Sequence, residues 1–180
     1  MTFRAPKGTD DILPPVSRRW RRVLQTFDEL AERYGYDPAM TPMFEATQVF
    51  ARGIGEGTDV VQKEMYTFED QGGRSLTLRP EATAPIMRAY LNSGIQGVLK
   101  LSYSGPMFRY ERPQAGRRRQ FWQVGVEYLG EDAPEADVEV IELGYRFYQA
   151  VGLEDFEVQL NSLGDAKSRS IYRAALVEHL

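Results

Sequence analysis

The chain has 180 residues, 42% of them hydrophobic and 27% charged, which predicts a single domain with an adequate core. It has no cysteine and one histidine, so disulfides, thiolate catalysis and cysteine-ligated zinc are excluded, and neither a histidine base nor a histidine-rich metal site is expected. The net charge of −4 gives no overall sign of nucleic-acid binding, and no apolar run has the length of a membrane span or the character of a signal region. We therefore expect a cytoplasmic protein with no membrane partner.

The first part of the chain predicts an arm, a helix and a strand. Proline, glycine and aspartate clusters in residues 1–15 are typical of an extended arm. Apolar residues at helical spacing predict a helix from Ser17, as its N-cap, to about Tyr34, and Gly35 is placed to end it. Residues 40–44 predict an edge or interface strand, because the proline among them has no N–H to donate to a ladder.

The middle of the chain predicts a loop, two strands and a helix. Residues 50–58 contain three glycines, but their spacing fits neither a P-loop nor a dinucleotide fingerprint, so we predict a mobile loop. Strands are expected at residues 65–68 and 75–78, joined by a glycine-containing turn. Thr83 is a suitable N-cap for a helix over residues 84–91.

The last part of the chain predicts two strands and two helices around a hairpin. Residues 98–103 and 156–160 have the pattern of strands, and residues 138–151 have the pattern of a helix with one apolar side. Asp165 is expected to cap a final helix, whose pattern still runs at Leu180. Hairpins without regular βαβ alternation predict an α+β fold, with helices packed on an antiparallel sheet.

The stretch Gly105–Glu127 predicts a β-hairpin. Its second strand places Phe121, Gln123 and Glu127 on one face, because side chains alternate along a strand, and Gly125 leaves a hollow on that face where a ligand can approach. The core face is expected to carry Trp122, Val124, Val126 and Tyr128. The residues alone leave two interpretations open, a ligand-binding face and an ordinary strand with one wet face.

The loop of this hairpin is basic. It carries Arg112, Arg117, Arg118 and Arg119. A guanidinium group is planar and binds oxyanions through two parallel hydrogen bonds, so four of them suit phosphate. A solvated loop is the plain alternative. The loop adjoins a face that carries Arg109, Glu111, Gln123 and Glu127, which favours an anionic ligand beside a basic arm for nucleic acid.

Four segments, in order, resemble one family. FRYERPQAGRRRQFWQVGVE, residues 108–127, resembles motif 2 of class II aminoacyl-tRNA synthetases in the form found in histidyl-tRNA synthetases. KGTDDILP at 7–14, RPEATA at 79–84 and LNSLG at 160–164 resemble the N-terminus, the histidine-site turn and a following segment of the same family. The resemblance covers nearly the whole chain. One departure is Ala82, where many relatives have glycine.

This resemblance implies an ATP-dependent ligase with a class II catalytic core. L-histidine and ATP, bound with Mg²⁺, would give histidyl-adenylate, and the histidyl group would pass to tRNA(His). The first helix and the strand at 40–44 would be motif 1 and would form a homodimer. Residues 1–180 would be the N-terminal part of the catalytic domain, without motif 3, the later histidine-specific segment or the anticodon-binding domain. We therefore expect these residues alone to be inactive.

The resemblance also implies which residues hold the nucleotide and the tRNA. Arg109 is expected to be the catalytic residue and to contact both the α-phosphate of ATP and the amino-acid carboxylate. Glu111 is expected near the adenine, with Phe121 stacked on the adenine ring. The arginines of the loop, Arg112, Arg117, Arg118 and Arg119, would reach the tRNA acceptor end. No protein side chain is implied as a metal ligand.

The same resemblance implies an amino-acid site. Glu81 and Thr83 are expected to hold the α-amino group of histidine, with backbone contacts from Ala82. Glu127 would accept a hydrogen bond from an imidazole N–H, and Gln123 would contact the histidine backbone or ring. Arg109 would complete the site at the carboxylate.

Two alternatives from other classes remain. A paralogue of this family is a regulatory subunit of ATP phosphoribosyltransferase, which shares the fold and parts of motif 2 but does not charge tRNA. The segments RPEATA and ERPQ favour the synthetase. A bare nucleic-acid-binding hairpin is the third interpretation, and it does not require Glu81, Gln123 and Glu127 to lie near each other.

Overall fold

The computed structural model describes residues 3–54, 58, 60–112, 114–161 and 164–179. The described helices are α1 Val16–Arg33, α2 Thr47–Ile54, α3 Thr83–Ser93, α4 Pro134–Ala150 and α5 Ala166–His179, with a π-helical turn at Val60–Glu64. The strands are β1 Asp37–Pro38, β2 Phe44–Ala46, β3 Tyr66–Glu69, β4 Ser75–Leu78, β5 Leu99–Phe108 and β6 Gln120–Leu129. No helix in these ranges is long and apolar enough to cross a membrane.

The strands form two three-stranded sheets. In the first sheet the order is β1-β5-β6, and β5 pairs antiparallel with β6 from Leu99 opposite Leu129 to Phe108 opposite Gln120. In the second sheet the order is β2-β4-β3, and both pairings are antiparallel. The predicted α+β class is confirmed. The sheet differs from the prediction in being divided in two and in having one parallel pairing, β1 with β5.

Both faces of the β5–β6 hairpin are packed. Helices α1 and α4 cover the back face, where Phe27, Leu30 and Leu143 are buried with Tyr36. The back-face strand residues against this core are Val124, Val126 and Tyr128. The front face packs on α3 around Ala82, Ile86 and Met107, with Leu101, Tyr103, Phe121 and Leu129 partly buried beside them. The front face therefore carries core residues as well as candidate-site residues. Because a shift of one residue would move every side chain to the opposite face, this packing fixes the register of the hairpin.

The segment between α1 and β2 corrects two predictions. Helix α1 starts at Val16 without a side-chain cap, so Ser17 lies in its first turn and is not the N-cap. Gly35 follows its C-terminus with φ +79°, as expected. Residues 40–44 do not form one strand, because β1 ends before them and only the last of them starts β2. The carbonyl groups of Thr41 and Met43 accept hydrogen bonds from Arg79 instead of from a neighbouring strand.

The glycine-rich segment also differs from the prediction. Its first part belongs to α2, which packs on α3, and residues 55–57 and 59 lie outside the described residues. Gly53 lets the two helices approach closely. A Cβ added at Gly53 would lie 2.6 Å from the Cβ of Ala84. Glycine is therefore required here by packing, and not by the flexibility of a loop.

We expect Gly53→Ala to destabilise the protein and Gly144→Ala, in α4, to stabilise it. Alanine favours a helix over glycine by about 0.5–1 kcal/mol, and a Cβ at Gly144 meets nothing within 4 Å. At Gly53 the same gain is outweighed by overpacking, which costs about 1–3 kcal/mol. The melting temperatures of the two variants should move in opposite directions. A rise for Gly53→Ala equal to that for Gly144→Ala would contradict the close contact with Ala84.

The C-terminal elements confirm the cap of the last helix and correct the predictions for α4 and for residues 156–160. Asp165 accepts a hydrogen bond from the Ser168 N–H at 2.6 Å and caps α5, as expected. Helix α4 starts earlier than predicted, and its core side is narrower, since Tyr148 is exposed. Residues 156–160 form no strand. The centre of the Phe156 ring lies 4.9 Å from that of Tyr145 and 5.4 Å from that of Tyr148. Phe156 pairs with no strand in the described part of the chain.

Candidate active site

The front face of β5–β6 brings the predicted β6 residues together. The register places Gln123 opposite Gly105 and Phe121 opposite Met107, so the odd-numbered residues of both strands share this face, including Glu127. On the back face, Trp122 departs from the prediction. It is 37% exposed and meets the edge of the Trp20 ring instead of joining the core.

Tyr103 fills the hollow that the sequence predicts at Gly125. The two residues are opposite each other, and a Cβ added at Gly125 would collide with the Tyr103 ring. Glycine is needed here for a side chain of the same protein. Burial, with the charges of Glu127 and Glu81 nearby, raises the pKa of the Tyr103 phenol. Tyr103 is a site residue that the sequence analysis missed, although it lies on the same strand face as Gly105 and Met107.

One end of the face is acidic. Thr83 donates its hydroxyl hydrogen bond to Glu127 Oε1 at 2.7 Å, which joins α3 to β6. Burial raises the pKa of the Glu127 carboxyl, the nearby Glu81 charge adds to this, and the Thr83 hydrogen bond opposes it. Two carboxylates that interact electrostatically, one of them partly buried, favour a cationic group beside them.

The predicted capping role of Thr83 is wrong. The N-cap of α3 is Ala82, and the Glu81 carboxylate accepts the hydrogen bond from the Ala84 N–H at 3.1 Å. Glu81 is thus held at the helix N-terminus, where a carboxylate is favoured. The Thr83 hydroxyl is left to face Glu127.

The other end of the face is basic. Arg109 directly follows β5, donates from Nε to the Pro80 carbonyl at 2.9 Å, and places its guanidinium carbon 5.1 Å from the centre of the Phe121 ring. These two contacts fix the plane of the guanidinium group. The terminal amino groups of Arg109 have no partner among the described residues, so they are the part of the side chain that can bind an oxyanion.

One buried polar atom on this face lacks a partner. Gln123 Oε1 has no hydrogen bond within the described ranges, whereas Glu111 Oε2, which also has no hydrogen bond, forms an ion pair with Arg117 Nη1 at 3.4 Å. A buried oxygen without a donor is costly, and a bound molecule is one way to satisfy it. Gln123 Oε1 therefore indicates a polar ligand on this face.

The basic loop is tied to the N-terminal arm. Arg118 forms an ion pair with Asp10 at 3.2 Å, and the Arg119 N–H donates to the Gly8 carbonyl at 2.8 Å. The Arg119 guanidinium lies 3.9 Å from the centre of the Tyr110 ring. Arg112 is exposed, and residue 113 lies outside the described residues. The loop is therefore anchored by more contacts than the solvated loop that the sequence allows.

Arg79 is a second residue that the sequence analysis missed. It is only 6% exposed and donates from Nε to the Pro106 carbonyl at 3.0 Å. It precedes Pro80, whose carbonyl orients Arg109. Its place in the RPEATA segment is the only feature of the sequence that could have drawn attention to Arg79. The sequence pattern of a turn does not distinguish a buried arginine from a solvated arginine.

The face as a whole can bind a molecule with a cationic and an anionic part. Phe121 and Glu127 are six residues apart on one strand, so they are separated by about 20 Å along it. The Arg109 side chain reaches from the Phe121 ring to the carbonyl of Pro80, the residue before Glu81. An amino acid beside a nucleotide has this length and this order of charges. An aromatic ring at the basic end also offers a stacking surface for a base.

Comparison with known proteins identifies the family. Residues 8–170 match the family model described as Histidyl-tRNA synthetase. The chain is 54% identical to the histidine–tRNA ligase of Geobacillus kaustophilus over 99% of its own length. It spans about 43% of the length of the curated relatives it matches.

Solved structures of the same family are similar to this chain. The structure of apo S. aureus histidyl-tRNA synthetase matches 99% of this chain and 42% of its own, with 42% identity and a TM-score of 0.79. A Bacillus halodurans structure described as an ATP phosphoribosyltransferase regulatory subunit/histidyl-tRNA synthetase matches 87% of this chain and 40% of its own, with 29% identity and a TM-score of 0.74. By its sequence, its fold and the residues gathered on the front face, the chain belongs to the histidyl-tRNA synthetase family.

Proposed function

We propose that this chain is the N-terminal part of the catalytic domain of a cytoplasmic histidine–tRNA ligase, which works as part of a longer protein. The observation that carries this proposal is the gathering of Glu81, Thr83 and Glu127 at one end of the front face and of Arg109 and Phe121 at the other. Membership of the family supplies the identity of the substrates.

At the acidic end, the proposed ligand is L-histidine. Glu81 and Thr83 hold the α-amino group, backbone groups at Ala82 assist, and Glu127 accepts a hydrogen bond from an imidazole N–H. The unpartnered Gln123 Oε1 supports a ligand with a donor at this point. A site with two carboxylates suits a ligand that carries an ammonium group and a ring N–H donor.

At the basic end, the proposed ligand is ATP. Phe121 stacks on the adenine, Glu111 contacts it, and Arg109 binds the α-phosphate and the histidine carboxylate. That carboxylate attacks the α-phosphorus, pyrophosphate leaves, and Arg109 stabilises the charge on the phosphoryl oxygens without a protein base. Mg²⁺ arrives with ATP, and the described residues contain no group of three or more acidic, histidine or cysteine side chains that could hold a metal ion.

Histidine-dependent exchange between ATP and pyrophosphate, measured on the full-length protein, tests the proposal. We expect exchange that requires histidine and is not supported by other amino acids. ATP and histidine binding without exchange would instead favour the regulatory-subunit alternative. No exchange and no binding of histidine would overturn the assignment of the front face.

The proposed partner of the basic loop is the acceptor end of tRNA(His). We expect replacing Arg112 and Arg118 with Gln to weaken tRNA binding and to reduce its salt dependence, because each arginine that neutralises a phosphate releases about one condensed counterion. Histidine-dependent exchange should stay near the wild-type level. The matched control replaces Arg146 and Arg173, on α4 and α5, with Gln. An equal decrease of tRNA affinity in the control would mean that general charge, and not the loop, binds tRNA.

The proposed full-length protein is a homodimer through α1 and the segment that follows it. Met40 is 97% exposed, and Met43, Phe44 and Phe68 are also exposed, with the two phenylalanine rings in edge contact at 6.4 Å. Such a cluster is typical of a surface that a partner covers. Light scattering at micromolar concentration should give the mass of a dimer. A monomer at that concentration would contradict this interface.

A further inference from the structure

Arg79 joins the two sheets through its backbone. It follows β4 of the second sheet, and its N–H donates to the Met43 carbonyl at 2.9 Å. Its own carbonyl accepts from the N–H of Phe108, the last residue of β5 in the first sheet, at 3.0 Å. A displacement of Arg79 therefore displaces one sheet against the other.

The side chain of Arg79 makes a second set of contacts at the same junction. Besides the bond from Nε to the Pro106 carbonyl, Nη1 donates to the carbonyl and the hydroxyl of Thr41 at 3.2 and 3.3 Å. The described partners are all neutral oxygens. A buried cation without a carboxylate loses its hydration and gains no ion pair, which offsets the stability gained from its hydrogen bonds to three oxygens. The forked geometry of the guanidinium, which reaches the Pro106 carbonyl and Thr41 together, explains an arginine here.

Strand β5 leaves room for this guanidinium at Gly105. A Cβ added at Gly105 would collide with Arg79 Nη2. Gly105 lies opposite Gln123 of the candidate site. The end of the Arg79 side chain is therefore packed directly against the strand that lines the site.

The two residues after Arg79 act on the site itself. The Pro80 carbonyl accepts the hydrogen bond from Arg109 Nε, and the Glu81 carboxylate is held by the Ala84 N–H. Pro80 has a fixed φ, which reduces the backbone freedom between Arg79 and Glu81. The position of Arg79 therefore sets the positions of both groups.

We propose that Arg79 is a positioning residue for adenylate formation, which fixes the Pro80 carbonyl and the Glu81 carboxylate against β5 and so orients Arg109 and the amino group of the amino-acid substrate. This inference rests on the proposed function. Arg79 touches no substrate in this role. It acts through Pro80, Glu81 and Arg109.

The test compares Arg79→Lys and Arg79→Met in the full-length protein by histidine-dependent pyrophosphate exchange. We expect kcat to fall and KM for histidine to rise, which together lower kcat/KM for histidine by about tenfold to a hundredfold, because small misplacements of reacting groups are costly. KM for ATP should change much less, since Phe121 stacks on the base. Lysine should not rescue the loss, because one ammonium group cannot span the two carbonyls.

Two further variants separate positioning from folding. Lys100→Met removes an ion pair with Glu139 on the back face and should lower the melting temperature without this kinetic pattern. Gly105→Ala should displace the Arg79 guanidinium and reproduce the pattern with the arginine retained, and it decides the question if Arg79→Met does not fold. Folded Arg79 variants with wild-type kcat and KM for histidine, or with equal losses for ATP and histidine, would overturn the inference. Absence of exchange in the wild-type protein would overturn the proposed function and the inference with it.

Discussion

Arg109→Lys is expected to lower the kcat of histidine-dependent pyrophosphate exchange by about 10²–10³. Lysine keeps the positive charge but loses the Nε donor that binds the Pro80 carbonyl and the planar face that lies on Phe121. Its ammonium group is a single point, so it cannot bind a phosphoryl oxygen and the substrate carboxylate in the arrangement that a fork allows. Removing one preorganised donor from a developing negative charge typically costs this much.

The size and type of the Arg109 effect distinguish catalysis from binding. If Arg109 stabilises the transition state, kcat should fall more than KM for ATP rises. Arg146→Lys is a matched control, because within the described part of the chain Arg146 makes only a surface ion pair, with Glu142 of the same helix. We expect its exchange kinetics to equal those of the wild type. A loss below about tenfold in Arg109→Lys would mean that charge alone is sufficient at this position.

Glu127→Gln is expected to lower kcat/KM for histidine by about tenfold to a hundredfold, since a charge-assisted hydrogen bond is worth about 1.5–3 kcal/mol. The glutamine keeps the size of the side chain and can still accept the hydrogen bond from Thr83. KM for ATP should change much less, because Phe121 and Arg109 lie at the other end of the face. Unchanged histidine kinetics would reject the assignment of Glu127, and equal losses for ATP and histidine would indicate a general distortion.

The same substitution should not destabilise the protein at neutral pH. Burial raises the pKa of the Glu127 carboxyl, so the folded state binds its proton more tightly than the unfolded state. The stability that this group contributes is present below the ordinary carboxyl pKa and is lost as the pH rises through the raised, folded-state value. The melting temperature of Glu127→Gln relative to the wild type should therefore increase from about pH 4 to pH 7. A fall over that range would contradict the desolvated carboxylate.

Strand periodicity predicted the part of the site that lies on one element. Phe121, Gln123 and Glu127 share a face because alternation along a strand is a local property, and the packed back face allows only one register. The turn residues were predicted less well. Thr83 looks like an N-cap in the sequence, but Glu81 takes the helix N–H and leaves the hydroxyl of Thr83 to a residue 44 positions away.

The missed features depend on contacts between distant segments. Gly53 lies in a helix that packs closely on Ala84 of another helix. The spacing of glycines in the sequence does not show such a contact. Residues 156–160 have the pattern of a strand but pair with no strand in the described ranges, and a strand needs a partner as well as a pattern. The Tyr103 ring occupies space that Gly125 leaves on the opposite strand. The Arg79 guanidinium occupies space that Gly105 leaves on β5.

The packing of both faces of the β5–β6 hairpin has a consequence for which insertions and deletions the protein can tolerate. An extra residue at the tip of the loop, between Arg112 and Arg119, leaves every pair of β5 with β6 unchanged, so homologues can differ in loop length while keeping the same site. An extra residue within β6, between Phe121 and Glu127, would turn Gln123 or Glu127 toward α1 and α4 and bring valines to the substrate side. Length variation should therefore be confined to the tip of the hairpin, where it would alter the contact with nucleic acid and leave the choice of amino acid intact.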